Sequence, residues 1–110
     1  MMKIEVEQAP NGRLVVRPFG SIDAVTAGDL KTSLKQAALG GSKQVIVDLG
    51  AVDFIDSSGL SALISGLKAL RQNNGGLSLC RPNPQAMTAL RLTMLDRVFA
   101  IFPSLDAALE

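Results

Sequence analysis

Several residue types on which protein chemistry often depends are missing from this sequence of 110 residues. It contains no histidine, tryptophan or tyrosine, and its one cysteine is Cys80. Without histidine there is no imidazole base or imidazole metal ligand, and one cysteine provides neither an internal disulfide nor a cysteine cluster for zinc. Without tryptophan and tyrosine, stacking on nucleobases is disfavoured. We therefore expect no metal site and no bound cofactor.

Charge bias and long apolar runs are also missing. The 11 basic and 10 acidic residues give a net charge of +1, and neither half of the chain is biased. This balance does not fit a protein that binds nucleic acid directly. No apolar run reaches the roughly 18 residues of a spanning helix, and the first ten residues lack a signal-peptide core. We expect a cytoplasmic protein with no membrane insertion.

Apolar residues make up 47% of the chain, which is enough for a hydrophobic core. We therefore expect a single domain over residues 1–110. The pattern opens with a hairpin around Pro10-Asn11-Gly12, with strands at 3–8 and 13–19. Gly20-Ser21-Ile22-Asp23 then interrupts the pattern. Helices are predicted at 25–39, 58–73, 84–95 and 104–109, and further strands at 44–49, 77–80 and 98–102. This alternation predicts an α/β layered fold with right-handed crossovers.

The most informative segment is QVIVDLGAVDFIDSSGL, residues 44–60. Its first apolar run is typical of an internal strand, and a second apolar cluster ends at Asp56-Ser57-Ser58-Gly59-Leu60. A helix with a continuous apolar stripe follows at once. This arrangement predicts two hydroxyls and a carboxylate at the positive end of a helix dipole.

These motifs together resemble the STAS domain, the fold of bacterial anti-sigma factor antagonists. The most specific match is Asp56-Ser57-Ser58-Gly59-Leu60 after a VDLG strand. Gly20-Ser21-Ile22-Asp23 followed by Thr26 is similar to a second family signature, and LDRVFAIFPSLDAAL (95–109) to the family's last strand and helix. The resemblance implies the STAS fold: an N-terminal β-hairpin followed by alternating helices and strands, with a mixed sheet of about five strands flanked by about four helices.

The resemblance also implies a function as an anti-anti-sigma factor. The unphosphorylated protein would bind an anti-sigma factor Ser/Thr kinase and release a sigma factor. Phosphorylation at the second serine of the motif, here Ser58, would end the complex, and a phosphatase would reset it. Carried over residue by residue, the partner-binding set is Asp23, Thr26, Asp56, Ser57, Ser58, Gly59 and Leu60. We expect the protein to be monomeric.

Simpler roles are open for most of these residues. An Asp-Ser-Ser-Gly sequence is ordinary helix-capping sequence, so Ser57 could be only the cap and Asp56 could only complement the dipole. Asp23 and Thr26 could equally be a turn residue and the N-cap of the first helix. Leu60 fits the core better than a partner contact.

Three residues with reactive or soft side chains also have structural interpretations. Cys80 is expected to be a buried, inert thiol. Met87 and Met94 are expected to fill gaps in the core. The family often carries glycine near Thr93-Met94-Leu95, and Met94 is expected to lengthen the preceding helix.

Two other functions remain to be weighed. STAS domains also serve as constitutive accessory subunits of lipid-transport or signalling complexes, where phosphorylation of Ser58 would not matter. An enzyme is disfavoured, because Asp56 with Ser57 or Ser58 lacks a histidine base and a nearby lysine. The sequence does not name the kinase, the sigma factor or the pathway. It also leaves open nucleotide binding, and its own physics does not separate Ser57 from Ser58.

Overall fold

Seven strands and four helices make up the protein, which a computed structural model describes over residues 1–110. The strands are β1 (Ile4–Ala9), β2 (Arg13–Pro18), β3 (Gly20–Ile22), β4 (Gln44–Asp48), β5 (Val52–Ile55), β6 (Gly76–Cys80) and β7 (Ala100–Phe102). The helices are α1 (Ala27–Leu39), α2 (Ser57–Gln72), α3 (Pro84–Leu92) and α4 (Leu105–Leu109). None of these helices has the length and apolar character needed to cross a membrane.

Five strands form the main sheet in the order β1-β2-β4-β6-β7. The hairpin strands β1 and β2 are antiparallel, whereas β2, β4, β6 and β7 run parallel to one another. The predicted mixed sheet with four helices is therefore confirmed. Pro18 ends β2, which is an interior strand, so the missing N–H falls at a strand end and not at a sheet edge.

The turn of the hairpin contains Asn11 at φ 64° and Gly12 at φ 72°. Both residues lie in the left-handed region, which glycine and asparagine adopt at the least cost. This is the physical basis of the Asn-Gly signal, and the predicted hairpin is confirmed.

A second, two-stranded parallel sheet joins β3 to β5. Residues 20–23 were expected only to interrupt the pattern, and 52–55 were not expected to pair with them. Segments of three and four residues are too short for a recognisable period-2 pattern, so this pairing was missed. Side chains cover the edge of β5: Gln85 bonds both the N–H and the C=O of Ile55, and Asn83 donates to the carbonyl of Asp53.

The main core lies between the sheet and the helices α1, α2 and α3. The stripe of α2 is buried as predicted, and its fully buried members include Leu63 and Leu70. Gly66 lies so close to the Leu34 side chain of α1 that a Cβ there would collide with it. Cys80 is buried against α4. The predicted burial of Cys80 is therefore confirmed, and burial raises the pKa of its thiol to about 12, which disfavours the reactive thiolate.

The end of α3 differs from the expectation. The helix stops at Leu92, and Met94 takes the left-handed conformation with φ 60°. Met94 therefore ends the helix and does not lengthen it. Its side chain is 61% exposed, so the prediction that it fills the core was wrong, whereas Met87 is half-buried. A left-handed φ is what glycine adopts most easily, which gives a physical reason for glycine in this connection.

Replacing Met94 with glycine should stabilise the fold. The substitution removes the steric cost of the left-handed conformation, and we expect a gain of about 0.5–1 kcal/mol in the free energy of unfolding. Met94→Ala is the matched control, because it shortens the side chain and keeps the Cβ. Urea denaturation measures both variants. A gain of the same size in Met94→Ala would contradict the conformational explanation.

One carboxylate, that of Asp48, is fully buried at the end of β4. It accepts hydrogen bonds from Arg17 Nε at 3.0 Å, from Arg81 Nη2 and Nε at 2.7 and 2.9 Å, and from the Gly50 amide at 2.9 Å. Burial alone would raise its pKa. The hydrogen bonds from Arg81, Gly50 and Arg17 outweigh that effect and lower the pKa to about 2. This cluster ties β2, β4 and the segment after β6 together.

The protein should therefore lose stability at low pH, because Asp48 becomes protonated. Since the folded pKa of about 2 lies below the ordinary value of 3.8, the stabilisation is present above pH 4 and is lost as the pH falls towards 2. At pH 7, Asp48→Asn should lower the free energy of unfolding by about 3–5 kcal/mol, because two arginines lose their buried partner.

The control for this prediction is Asp53→Asn, at an exposed carboxylate on β5 with no salt bridge. Denaturation at pH 7, 4 and 2 should show a smaller loss between pH 4 and 2 in Asp48→Asn than in the wild type. Equal losses in the wild type and Asp48→Asn would contradict the assignment to Asp48.

Candidate functional site

The start of α2 is capped by Asp56. Its side chain accepts hydrogen bonds from the backbone N–H groups of Ser58 at 2.9 Å and Gly59 at 3.2 Å. These are two of the donors that a helix start leaves unpaired. Ser57 is the first helical residue and is not the cap, so that interpretation of Ser57 was wrong.

The two serine hydroxyls of the motif remain without hydrogen-bond partners in the protein. Ser58 is half-buried and Ser57 is exposed, and neither hydroxyl is bonded to a carboxylate or to the backbone. Because Asp56 satisfies the helix start, the hydroxyl of Ser58 has no structural task. It is open to modification or to contact with a partner.

The pairing of β3 with β5 brings the second predicted signature to the same place. Ile22 pairs with Ile55, so the chain leaves both strands at the same end, into Asp23 and Asp56. The Asp56 N–H donates to the Ile22 carbonyl at 3.1 Å. The structure therefore brings together the Asp23–Thr26 loop and the Asp56–Leu60 segment, which are at least 30 positions apart in the sequence.

The side chains of Asp23 and Thr26 fix the shape of their loop by hydrogen bonds to its backbone. The Asp23 carboxylate accepts from the N–H groups of Val25 at 2.9 Å and Thr26 at 3.2 Å, as a turn-forming aspartate does. The Thr26 hydroxyl donates to the Ser21 carbonyl at 2.7 Å and accepts from the Asp23 N–H at 3.0 Å. Thr26 occupies the N-cap position of α1 but makes no capping bond. The loop is therefore preorganised beside the start of α2.

Gly59 and Leu60 face the interior. A Cβ on Gly59 would lie 2.7 Å from the Ile22 carbonyl oxygen and 2.6 Å from the Ile55 side chain. The backbone that approaches Gly59 is therefore that of Ile22 in the same chain. Leu60 is buried in the core, as its place in the stripe predicted. Both residues therefore support the site from inside the fold. The prediction that this set contacts a partner then applies to its accessible residues.

Two exposed apolar side chains lie in the same segments. Val25, in the Asp23–Thr26 loop, is 89% exposed, and Phe54, on β5 beside Ser21, is 43% exposed. A groove of about 290 Å³ between α1 and α2 adds Lys31 to the surroundings of Ser58. Sequence reasoning missed all three residues. Val25 carried a usable signal, as an apolar residue between a turn and a helix, but no local pattern places Lys31 beside Ser58.

The chemical capacity of the site is limited to what hydroxyls, carboxylates and one lysine can do. No three His, Cys, Asp or Glu side chains converge in a way that could hold a metal ion. The Asp56 carboxylate is occupied by backbone amides, so it is poorly placed to activate a serine hydroxyl as a base. What the arrangement offers is an accessible surface of hydroxyls, carboxylates and apolar side chains.

Comparison with known proteins identifies the family. The STAS domain family matches residues 3–108. The chain belongs to this family, and the resemblance drawn from its motifs is confirmed. The relatives of this STAS domain include BtrV of Bordetella bronchiseptica, named as a candidate anti-sigma factor antagonist. The two are 29% identical over 107 residues, which cover 97% of this chain and 91% of BtrV.

Solved structures show the same fold. A crystal structure of an anti-sigma factor antagonist from Mycobacterium paratuberculosis has a TM-score of 0.88 and 31% identity, covering 99% of this STAS domain and 92% of that chain. The unphosphorylated form of the anti-sigma factor antagonist SpoIIAA has a TM-score of 0.83 and 20% identity, covering 96% and 92%. The phosphorylated form of SpoIIAA from Bacillus has a TM-score of 0.75 at the same identity, covering 96% of both chains.

Adding one methyl group at Gly59 should disturb the site strongly. Gly59→Ala forces a Cβ against the Ile22 carbonyl and two isoleucine side chains, and we expect a loss of about 1–3 kcal/mol in the free energy of unfolding. Gly28→Ala is the matched control in the first turn of α1, where a Cβ meets nothing within 4 Å. It should be neutral or slightly stabilising. Thermal denaturation compares the two, and equal effects would contradict the proposed close packing.

Proposed function

We propose that this STAS domain is an anti-sigma factor antagonist controlled by phosphorylation of Ser58. In its unphosphorylated form it binds an anti-sigma factor that is a Ser/Thr kinase, and the bound sigma factor is released. The kinase transfers the γ-phosphoryl group of ATP to Ser58 Oγ, the hydroxyl loses its proton, and ADP leaves. The phosphorylated form then dissociates, and a phosphatase restores the free hydroxyl by hydrolysis.

The observation that carries this proposal is the free hydroxyl of Ser58 on the first turn of α2. Asp56 makes the capping bonds that a serine would otherwise make. Phosphorylation of Ser58 therefore breaks no bond of the folded state, and the fold can survive the modification. A regulatory site of this kind changes the surface and leaves the scaffold intact.

The charge of the site explains how a phosphate would switch binding. A phosphoserine carries about −1.5 to −2 charges at pH 7. It would lie two residues from the Asp56 carboxylate, on a surface that also contains Asp23. A partner packed over this surface would have to remove water from the phosphate and place it beside those carboxylates. A penalty of roughly 3–4 kcal/mol corresponds to a few-hundred-fold loss in affinity.

The comparisons support the same function. BtrV and the mycobacterial protein are named for antagonism of anti-sigma factors, at 29% and 31% identity over nearly the whole chain. SpoIIAA, which shares the fold, has been solved with and without its phosphate. The exposed Val25 and Phe54 give the surface apolar contacts that protein interfaces use at their centre.

Phosphorylation by a purified partner tests the acceptor. The unphosphorylated protein is used for affinity capture in the source organism, and a captured protein with a kinase-type ATP site is purified and incubated with ATP. Wild type and Ser57→Ala should each gain one phosphate, mapped to Ser58 by mass spectrometry, and Ser58→Ala should gain none. Modification of Ser57 in the wild type would overturn the assignment to Ser58.

Binding of the same kinase tests the switch. Ser58→Ala should bind like the wild type, whereas Ser58→Glu should bind at least tenfold more weakly, because it adds a charge next to Asp56. Titration calorimetry measures both, with Gln72→Glu as the control, because it adds the same charge at the exposed far end of α2 and should bind like the wild type. Equal affinities for the wild type, Ser58→Ala and Ser58→Glu would exclude the switch. A complex that never carries phosphate would favour a constitutive accessory subunit.

A further inference from the structure

A groove between α1 and α2 runs past Ser58. On α2 it is lined by the hydroxyl side chains of Ser58, Ser61 and Ser65, which lie on one face of the helix. On α1 it is lined by Gly28 and Lys31. Its volume of about 290 Å³ is roughly ten times the share of one water molecule in the liquid. The groove can therefore hold a group larger than a hydroxyl.

Lys31 is the charged residue of this groove, and its ammonium group has no partner. It takes part in none of the salt bridges of the protein, which involve Lys3, Arg17 and Arg81, and it donates no hydrogen bond. No acidic side chain lines the groove, and the carboxylates of Asp23, Asp29 and Asp56 accept hydrogen bonds from backbone N–H groups. The long, flexible lysine side chain is free to move along the groove.

We propose that Lys31 binds the phosphate of phosphorylated Ser58, folding it into the groove between α1 and α2. This inference rests on the proposed modification of Ser58 and adds the residue that receives it. A phosphate offers three acceptor oxygens and up to two negative charges, and Lys31 offers three N–H donors. The positive charge of Lys31 then neutralises part of the negative charge of the phosphate, the charge that repels the partner.

The neighbouring lysine provides a matched control. Lys35 lies one turn further along α1, is also exposed, and forms no salt bridge. It lines a different cavity, beside Ala69 and Asn73, which does not include Ser58. A general effect of positive charge on α1 would be shared by both lysines, whereas a specific contact with the phosphate belongs to Lys31 alone.

The test uses phosphoserine placed at position 58 during translation, so that no kinase is required. The midpoint of the ³¹P chemical-shift titration reports the second ionisation of the phosphate. A nearby ammonium favours the dianion and lowers this midpoint. Lys31→Gln should raise it by about 0.3–0.6 pH units relative to the wild type, the effect of one partly exposed ion pair. Lys35→Gln should match the wild type, and Lys31→Arg should restore the low midpoint.

Each outcome has a defined meaning. A raised midpoint in Lys31→Gln alone, with the amide spectrum of the fold unchanged, supports the contact. Equal midpoints in all four proteins, or equal shifts in Lys31→Gln and Lys35→Gln, overturn it. Since the phosphate is introduced without a kinase, failure here would leave the proposed switch standing. Conversely, failure to find a kinase for Ser58 would not alter the titration.

Discussion

The carbonyl of Ile22 joins the candidate functional site to the core. It accepts a hydrogen bond from the Asp56 N–H at 3.1 Å, and Gly59 lies against it because glycine has no Cβ to collide with it. Through this one group, the end of β3, the end of β5 and the first turn of α2 are fixed relative to one another. The Asp23–Thr26 loop follows β3 directly, so its position depends on the same contact.

Asp48 and Asp56 show how burial and hydrogen-bond partners determine the role of a carboxylate. Asp48 is fully buried and needs two arginines and a backbone amide to remain charged, and it ties strands of the main sheet together. Asp56 is only partly buried and uses its charge on the helix start. The second arrangement has a functional consequence, because it leaves the serine hydroxyls of the motif without structural work.

The proposed switch at Ser58 would change recognition by a partner without changing the stability of the fold. The hydroxyl of Ser58 lies on the accessible side of the first turn of α2, while Leu60 and the following stripe are packed inside. A change of charge at Ser58 therefore acts on the surface and does not reach the core. The groove beside it, with the unpaired Lys31, gives the folded domain a place for added negative charge.

The sequence by itself determined the hairpin, the four helices, the internal strands and the family, since Asn-Gly turns, helical stripes and an ordered set of motifs are local signals. It missed the β3–β5 pair, because three- and four-residue strands have no readable period. It also misjudged Met94, whose left-handed backbone follows from the path of the chain. The structure also decided that Asp56, and not Ser57, is the cap, through local contacts that the motif had left open. Only the tertiary structure decided that Gly59 faces Ile22 and that Lys31 and Ser58 line the same groove. Each of these depends on contacts between segments distant in the sequence, which no local pattern encodes.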